Sequence, residues 1–324
     1  MGTDPPRIAV VIPSWNGLGD LKECLASLRD QVGVEIELMV VDNGSVDGSV
    51  EYLREAGIPH EALPENVGFA RAVNIGFELT GAEWVMTMNA DTIAEPGALL
   101  SLVDTLRPDE RAGGVQPRIL SLVRGEPRLP DDPGALVYSL GQALTADGRA
   151  FEEGLGHPQG PVGGEPREIF GVCGAACLFR RRMIDELGGY DESYFAFYED
   201  VDLNVRARIH GWGFRLAPDA VVWHVGNAAW QAGFDRPGAE NARLVARNRI
   251  RTQAKFMPAR ALPRIVLIDI GSILRAIRSR RFSATLRGKL AGLARPRELA
   301  RKRRALLRAG DPARARTWLG RVAK

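Results

Sequence analysis

The chain has 324 residues, 45% of them hydrophobic, with a net charge of +3. That length supports one large domain, or one domain with an appendage. No run of about 18 uncharged apolar residues is present, which excludes a bilayer-spanning helix. Met1-Gly2-Thr3-Asp4-Pro5-Pro6 lacks the basic start and apolar core of a secretory signal, so a cytoplasmic protein is expected. Cys24, Cys173 and Cys177 form no even disulfide framework and sit in no zinc-ligand cluster, so reduced thiols are expected. The charge is uneven. From Arg260 to Lys324 there are 19 Lys and Arg against three acids, a net of +16, so the remaining residues carry −13. An acidic body with a basic tail facing a polyanion fits that split.

In chain order, Arg7 to Pro13 is a β-branched run bounded by prolines and reads as a buried strand. Gly19 to Asp30 places Leu21, Cys24, Leu25 and Leu28 on one helical face. A strand over Glu35 to Asp42, a helix over Ser49 to Ala56, a helix over Ala70 to Leu79, a strand over Glu83 to Met88 and a helix over Pro96 to Leu106 follow. This alternation predicts an α/β fold with a mostly parallel sheet. Residues 124–167 are rich in Gly and Pro and are expected to run over the acceptor side, with short strands inside them. Glu168 to Arg180 reads as one strand, Glu199 to His210 as a helix and Ala220 to His224 as a short strand. From Ala239 the pattern is helical, interrupted at Pro258, Pro263, Pro296 and Pro312.

Ligands in such sheets bind outside the carboxyl ends of the strands. Polar residues follow three of the predicted strands: Pro13-Ser14-Trp15-Asn16-Gly17, Asp42-Asn43-Gly44-Ser45, and Asn89-Ala90-Asp91. A strand-tip carboxylate suits a base or ribose at Asp42. Asp91 suits a hard divalent cation beside a diphosphate, or else caps the next helix. Asn66, Arg71 and Asn74 either face a nucleotide or cap and pack their helix. Glu199, Asp200 and Asp202 place three carboxylates in four residues at a helix start. Mutual repulsion would raise their proton affinity toward that of a general base. Helix-dipole pairing is the plainer use, with Asp202 and Arg206 as a surface ion pair.

The segments VVIPSWNG, VVDNGSVDGS, ENVGFARAVNIGF, MNAD, FGVCGAACLFRR, GGYDESYFAFYEDVDLNVRARIHGW and VVWHVG, in this order from about Ile8 to Phe256, resemble glycosyltransferase family 2. The likeness is greatest to its bacterial rhamnosyltransferase-like branch. The resemblance implies a GT-A fold with a Rossmann-like sheet, flanking helices and a C-terminal helical extension. A catalytic domain would then span residues 1–258, with a nucleotide half to about 120 and an acceptor half beyond, followed by a basic tail over 259–324. It further implies an inverting transfer from a nucleotide-diphosphate sugar with Mg²⁺ or Mn²⁺.

By position, Pro13, Trp15, Asp42 and Asn43 would frame the base and ribose, and Asn66, Gly68, Arg71 and Asn74 would follow the nucleotide. Asn89 and Asp91 stand at the family's Asp-x-Asp motif, Asn89 replacing the first carboxylate. Asp91 and His224 would bind the metal. Asp200 would be the base with Glu199 beside it, and Cys173, Gly174, Tyr198, Glu199 and Trp212 would border the acceptor. The branch suggests dTDP-rhamnose, or a UDP-sugar, as donor and a saccharide or polyprenyl-diphosphate-linked acceptor in envelope polysaccharide synthesis.

Pro263 to Ile277 and Leu286 to Leu307 read as amphipathic helices lying on an anionic membrane face. A packed lid or a homo-oligomer interface is the alternative. Nucleic acid is not expected, because no groove-reading module accompanies the charge. A nucleotidyltransferase lacks support because Pro13 to Gly19 carries no basic phosphate loop. An NAD-linked enzyme lacks it because no G-x-G-x-x-G follows the first strand. A non-catalytic saccharide-binding protein would have no use for Glu199-Asp200.

Overall fold

The computed structural model describes residues 4–226, 238–278 and 281–319. Strand β1 (Arg7–Ser14) is buried at every position except Arg7 and Pro13, as expected of a central strand covered on both faces. It pairs in parallel with β2 (Glu35–Asp42) and with β4 (Trp84–Met88), and β2 pairs in parallel with the short β3 (His60–Ala62). Helices α1 (Leu18–Arg29), α2 (Ser49–Glu55) and α3 (Phe69–Glu78) make the crossovers. Leu21, Cys24, Leu25 and Leu28 on α1 are buried, as their spacing predicts. The register sets Ser14 opposite Asp42, so the tips of β1, β2 and β4 end along one side of the sheet.

The second half extends this sheet with mixed pairing. After β5 (Thr92–Ala94) and α4 (Ala98–Leu106) comes β6 (Ala112–Ser121), a buried strand missed in the sequence because its two glycines and a proline break the pattern. The segment read as one strand from Glu168 to Arg180 is two. β10 (Arg167–Ile169) pairs with β12 (Gly213–His224), while β11 (Ala176–Arg180) inserts antiparallel between β4 and β6. Residues 170–175 cross between them because small side chains there let the backbone approach α6 (Glu199–His210). A Cβ on Gly171 would lie 2.4 Å from Asn204. β12 is longer than expected, with a register shift between Ala217 and Val221 around Pro218. The order is β10-β12-β6-β11-β4-β1-β2-β3, with β5 on β12 and β7 (Val137–Ser139) on β6. Within 124–167 lies a separate hairpin of β8 (Gln142–Leu144) and β9 (Ala150–Glu152).

The C-terminal helices fold back on this body. α5 (Arg181–Leu187) precedes α6, and α7 (Ala239–Phe256) packs against the approach to α6. α8 (Leu262–Arg278) begins with Pro263 in its first turn, where the missing N–H costs nothing, so that proline does not interrupt it. α9 (Phe282–Leu293) lies on α7 so closely that a Cβ on Gly288 would sit 2.2 Å from the Arg243 carbonyl. α10 (Pro296–Ala309) and α11 (Pro312–Arg316) pack on α6, burying Leu306 with Val201, Val205 and Ile209. Of the stretch expected on a membrane from Leu286 to Leu307, one side packs on the body through Gly288, Gly292, Leu299 and Leu306, while Leu290, Leu293 and Leu307 stay exposed. Asp202 differs from its expected surface role: it is fully buried and holds both Arg206, at 2.7 Å, and Lys255. No helix among the described residues is long and apolar enough to cross a membrane.

Candidate functional site

The tips of β1 and β4 open onto two adjoining hollows. One, of about 300 Å³, is lined by Pro13, Trp15, Asn16, Asp20 and Ala90. The other, of about 560 Å³, contains Tyr138, Glu152, Cys173, Tyr198, Asp200 and His224. Phe69, Asn89 and Asp91 line both, so the two form one cleft with Asp91 at the junction.

Asp91 is placed by the turn from β4 into β5. β5 pairs with the end of β12, Thr92 opposite His224, and the Val225 amide donates to the Asp91 carbonyl at 3.0 Å. His224 Nε2 thus lies 3.1 Å from Asp91 Oδ1 and 3.5 Å from Asn89 Nδ2. Tyr138 packs its ring against the imidazole, centroid to centroid 4.3 Å. Burial pushes the Asp91 carboxyl up, but the hydrogen bond and charge of His224 outweigh it and hold the carboxyl below its usual range. Asn89 Oδ1 and His224 Nδ1 are buried without a protein hydrogen-bond partner. A carboxylate, an imidazole and an orphaned amide oxygen at one point, open to a cleft with room for a diphosphate, fit Mg²⁺ or Mn²⁺.

Asp200 sits across the second hollow at the start of α6. Its Oδ2 accepts from the Gly174 amide at 3.1 Å and Gln142 Nε2 at 3.0 Å, and its Oδ1 from the Val201 amide at 2.7 Å. Burial raises its proton affinity despite these donors. Glu199 is raised well above the usual carboxylate range, first by burial and then by Asp200, and its Oε2 has no protein partner. Burial, rather than the mutual repulsion expected from the sequence, is the larger cause at both positions. The segment leading into α6 is strained: Phe195, Phe197 and Tyr198 all hold φ between 67° and 70°. The Asn248 amide on α7 donates to the carbonyls of Tyr194, Ala196 and Phe197 at 2.6–2.9 Å and holds this turn.

The other expected residues divide. Pro13 and Trp15 line the smaller hollow, and Trp15 is 57% exposed. Asp42 is fully buried at the tip of β2, its Oδ1 accepting from Ser45 and its Oδ2 unpartnered. Asn43 bonds Asn66, and Asn66 accepts from the Gly68 amide at 2.9 Å, which stabilises a turn rather than capping α3. Gly68 is demanded by packing: at φ 92° a Cβ would meet Phe195 at 2.5 Å.

Three expected residues point elsewhere. Arg71 pairs with Glu192 at 2.9 Å, Asn74 is pinned to both backbone groups of Tyr190, and Trp212 donates to Glu186 at 3.0 Å. None of the three lines the cleft, because each is already engaged in holding α3, α5 and α6 together. Cys173, Gly174 and Tyr198 do line it. Burial keeps the Cys173 thiol protonated.

Gln142, Glu152 and Tyr138 were not identified from the sequence. The one available signal was Asp147-Gly148, a hairpin-turn pair between the segments that become β8 and β9. Glu152 and Asp200 lie with the Cys173 sulfur within 4.8 Å of one another. A protonated thiol suits a hard cation poorly, and the Gln142 and Gly174 N–H groups aim into this cluster, so it accepts protons better than metal.

A nucleotide-sized hollow at strand tips, a metal-compatible pair at its floor and buried carboxylates opposite define a GT-A-type glycosyltransferase. Solved structures agree on the fold. GalNAc-T7, solved with UDP, GalNAc and Mn²⁺, superposes with a TM-score of 0.62 at 16% identity over 78% of this chain and 48% of that one. The mannosyltransferase PcManGT of Pyrobaculum calidifontis, solved with GDP-Man and Mn²⁺, gives 0.51 at 18% identity over 95% and 75%. The sequence profile of glycosyl transferase family 2 matches residues 9–188, and the chain belongs to that family. It is 28% identical over 242 residues to an N-acetylglucosaminyl-diphospho-decaprenol L-rhamnosyltransferase of Mycobacterium tuberculosis, covering 67% of this chain and 75% of the relative. It is 21% identical to a poly-β-1,6-N-acetyl-D-glucosamine synthase of Staphylococcus epidermidis, spanning 49% of that protein.

Proposed function

We propose that this glycosyltransferase moves a rhamnose-like sugar, with inversion, from a nucleotide-diphosphate donor to a hydroxyl of a lipid-linked saccharide. The observation that carries the reading is that Asp91 and Asp200, 109 positions apart in sequence, line one cleft. dTDP-rhamnose is the favoured donor and a UDP-sugar the alternative, on the likeness to the mycobacterial rhamnosyltransferase, whose name also specifies a lipid-diphosphate N-acetylglucosamine acceptor.

In this reading Pro13 and Trp15 flank the base, while Ser14 Oγ and Asp42 Oδ2, both buried without a partner, meet the nucleoside. Asp91, His224 and Asn89 hold a divalent cation, which supplies charge neutralisation for the departing diphosphate. Asp200 takes the proton of the acceptor hydroxyl as its oxygen attacks the anomeric carbon. The bond to the diphosphate breaks and the electron pair leaves with it. Glu199, with its free oxygen, orients the acceptor. Tyr198 and Cys173 wall the acceptor side.

The lipid end of the acceptor finds a surface on α8. Leu262, Val266, Leu267, Ile270, Leu274 and Ile277 are 48–71% exposed and share one helical face, and Arg264 stands beside them, also exposed. An amphipathic face of this kind lies in the interface of an anionic bilayer, on the cytoplasmic side where nucleotide sugars are made.

The test is a donor panel with Mn²⁺ or Mg²⁺, scoring released nucleoside diphosphate, run on wild type and Asp200→Asn. One donor is expected to turn over, and the variant to lose about 10²–10⁴-fold. A variant at the wild-type rate removes Asp200 as base. Flotation with vesicles rich in anionic lipid tests α8. Leu267→Glu/Ile270→Glu is expected to abolish binding, and undiminished binding removes the membrane claim.

A further inference from the structure

Glu152 is a half-buried carboxylate that the transfer as described leaves unused. The β8–β9 hairpin sets it opposite Gln142 in register, on the wall of the acceptor hollow. Its Oε2 accepts from Ser139 Oγ at 2.6 Å and its Oε1 from Gln142 Nε2 at 3.2 Å. The same Gln142 nitrogen donates to Asp200 Oδ2 at 3.0 Å. The orientation of that amide is fixed from behind. Gln142 Oε1 accepts from Asn204 Nδ2 at 2.9 Å, and Asn204 is itself oriented because its Oδ1 accepts from the Val172 amide. One –NH₂ group therefore faces two carboxylates at once. The other titratable groups that interact with the pair are the Cys173 thiol from the 170–175 crossing, Cys177 on β11, Tyr138 on β7, Tyr190 and Tyr198 ahead of α6 and Glu199 on α6; none of them is cationic.

We propose that Glu152 is a positioning residue that sets how strongly Asp200 holds a proton, the two carboxylates acting as one proton-accepting pair bridged by the Gln142 amide. The inference rests on Asp200 as the base and adds the group that tunes it. Two carboxylates in one desolvated pocket do not ionise independently; the first charge opposes the second. Burial and then the charge of Asp200 push Glu152 up to about 7, with Ser139, Gln142 and Cys173 pulling the other way. Near neutrality Glu152 therefore gains or loses its proton. Losing it makes Asp200 the stronger acceptor for the proton of the attacking hydroxyl. After transfer, the pair holds the proton released from the acceptor.

The test reads the pair without substrate. Infrared difference spectra of the full chain, recorded against pH, follow the carbonyl band of a buried carboxylic acid. In wild type a component of this band is expected to titrate near pH 7, and in Glu152→Gln that component is expected to be absent, leaving the band of Glu199. Asp200→Asn removes the neighbouring charge and lowers the midpoint by about one unit. Ser139→Ala removes a donor to the carboxylate, raises the midpoint, and serves as the second reading should the Asp200 variant not fold. A midpoint unmoved by either change, or a Glu152 ionised throughout, overturns the proposal. In turnover, Glu152→Gln is expected to erase the step near pH 7 in kcat/KM, while a uniform loss at every pH would mean a merely structural role. Failure of the base reading shows separately, as full turnover by Asp200→Asn.

Discussion

At the scale of single residues, the adjacent acids Glu199 and Asp200 differ in environment. Asp200 receives three N–H donors, which favour its charged form, whereas Glu199 leaves one oxygen unpartnered in a buried place that disfavours charge. Glu199 thus favours its neutral form, and an amide mimics it well. Glu199→Gln is expected to keep activity within about tenfold, against the larger loss at Asp200→Asn. Steady-state rates decide it: equal losses would contradict the distinction, and a larger loss at Glu199→Gln would reverse the two roles. The sequence showed the acids clearly but not their environments. Burial, which dominates both shifts, comes from tertiary folding, and at Asp200 the surrounding Gln142 and Gly174 are far away in the chain. For the same reason the sequence did not show that Arg71, Asn74 and Trp212 are engaged with Glu192, Tyr190 and Glu186: polar residues beside a motif need not line its cleft.

At the scale of elements, β1, β2 and β4 were legible because each is an apolar run with β-branched residues and the helices between them have apolar faces, whereas the three-residue β3, His-Glu-Ala, carries no such signal. β6 and the break between β10 and β11 were not, since their glycines are required by close packing between layers, which no local period records. The turn into α6 is the functional element least visible in sequence. Three consecutive-region aromatics at positive φ each cost on the order of 1–3 kcal/mol, so the turn needs external support. Asn248, fully buried on α7, supplies it through three carbonyls. Asn248→Ala is expected to cost roughly 2–3 kcal/mol of stability and to lower kcat more than it raises KM, because Glu199 and Asp200 shift as the turn relaxes. Melting and steady-state kinetics measure both; a stable variant at full rate would leave the turn self-supporting.

At the scale of the whole molecule, the basic C-terminal segment serves two ends. Part of its charge neutralises the acidic body: Lys302 meets Asp191 at 2.7 Å, beside Lys255 of α7 at 2.8 Å, while Lys289 meets Asp269 within the segment itself at 2.7 Å. Burial pushes the Asp191 carboxyl up, but Lys255 and Lys302 hold it far below the usual range. A depressed carboxylate stabilises the fold above its unfolded value of about 4, and that contribution is lost as pH falls further. Lys302→Met is expected to lower stability by roughly 1–3 kcal/mol at pH 7 and to flatten the loss between about pH 4 and pH 2. Melting against pH checks it, and an unchanged acid limb would contradict it. The charge asymmetry was readable in the sequence, but its division between internal pairing and the exposed face of α8 depends on tertiary contacts.

The claim on which the functional reading stands is that cation and base face one another across a single cleft. Anomalous diffraction at the manganese edge, from crystals grown with Mn²⁺ and a nucleoside diphosphate, tests it most directly. The expected result is one peak bound by Asp91 and His224, with the diphosphate reaching from Trp15 toward Asp200. A peak held instead by Glu152 and Asp200, or a diphosphate bound away from Asp91, would contradict it.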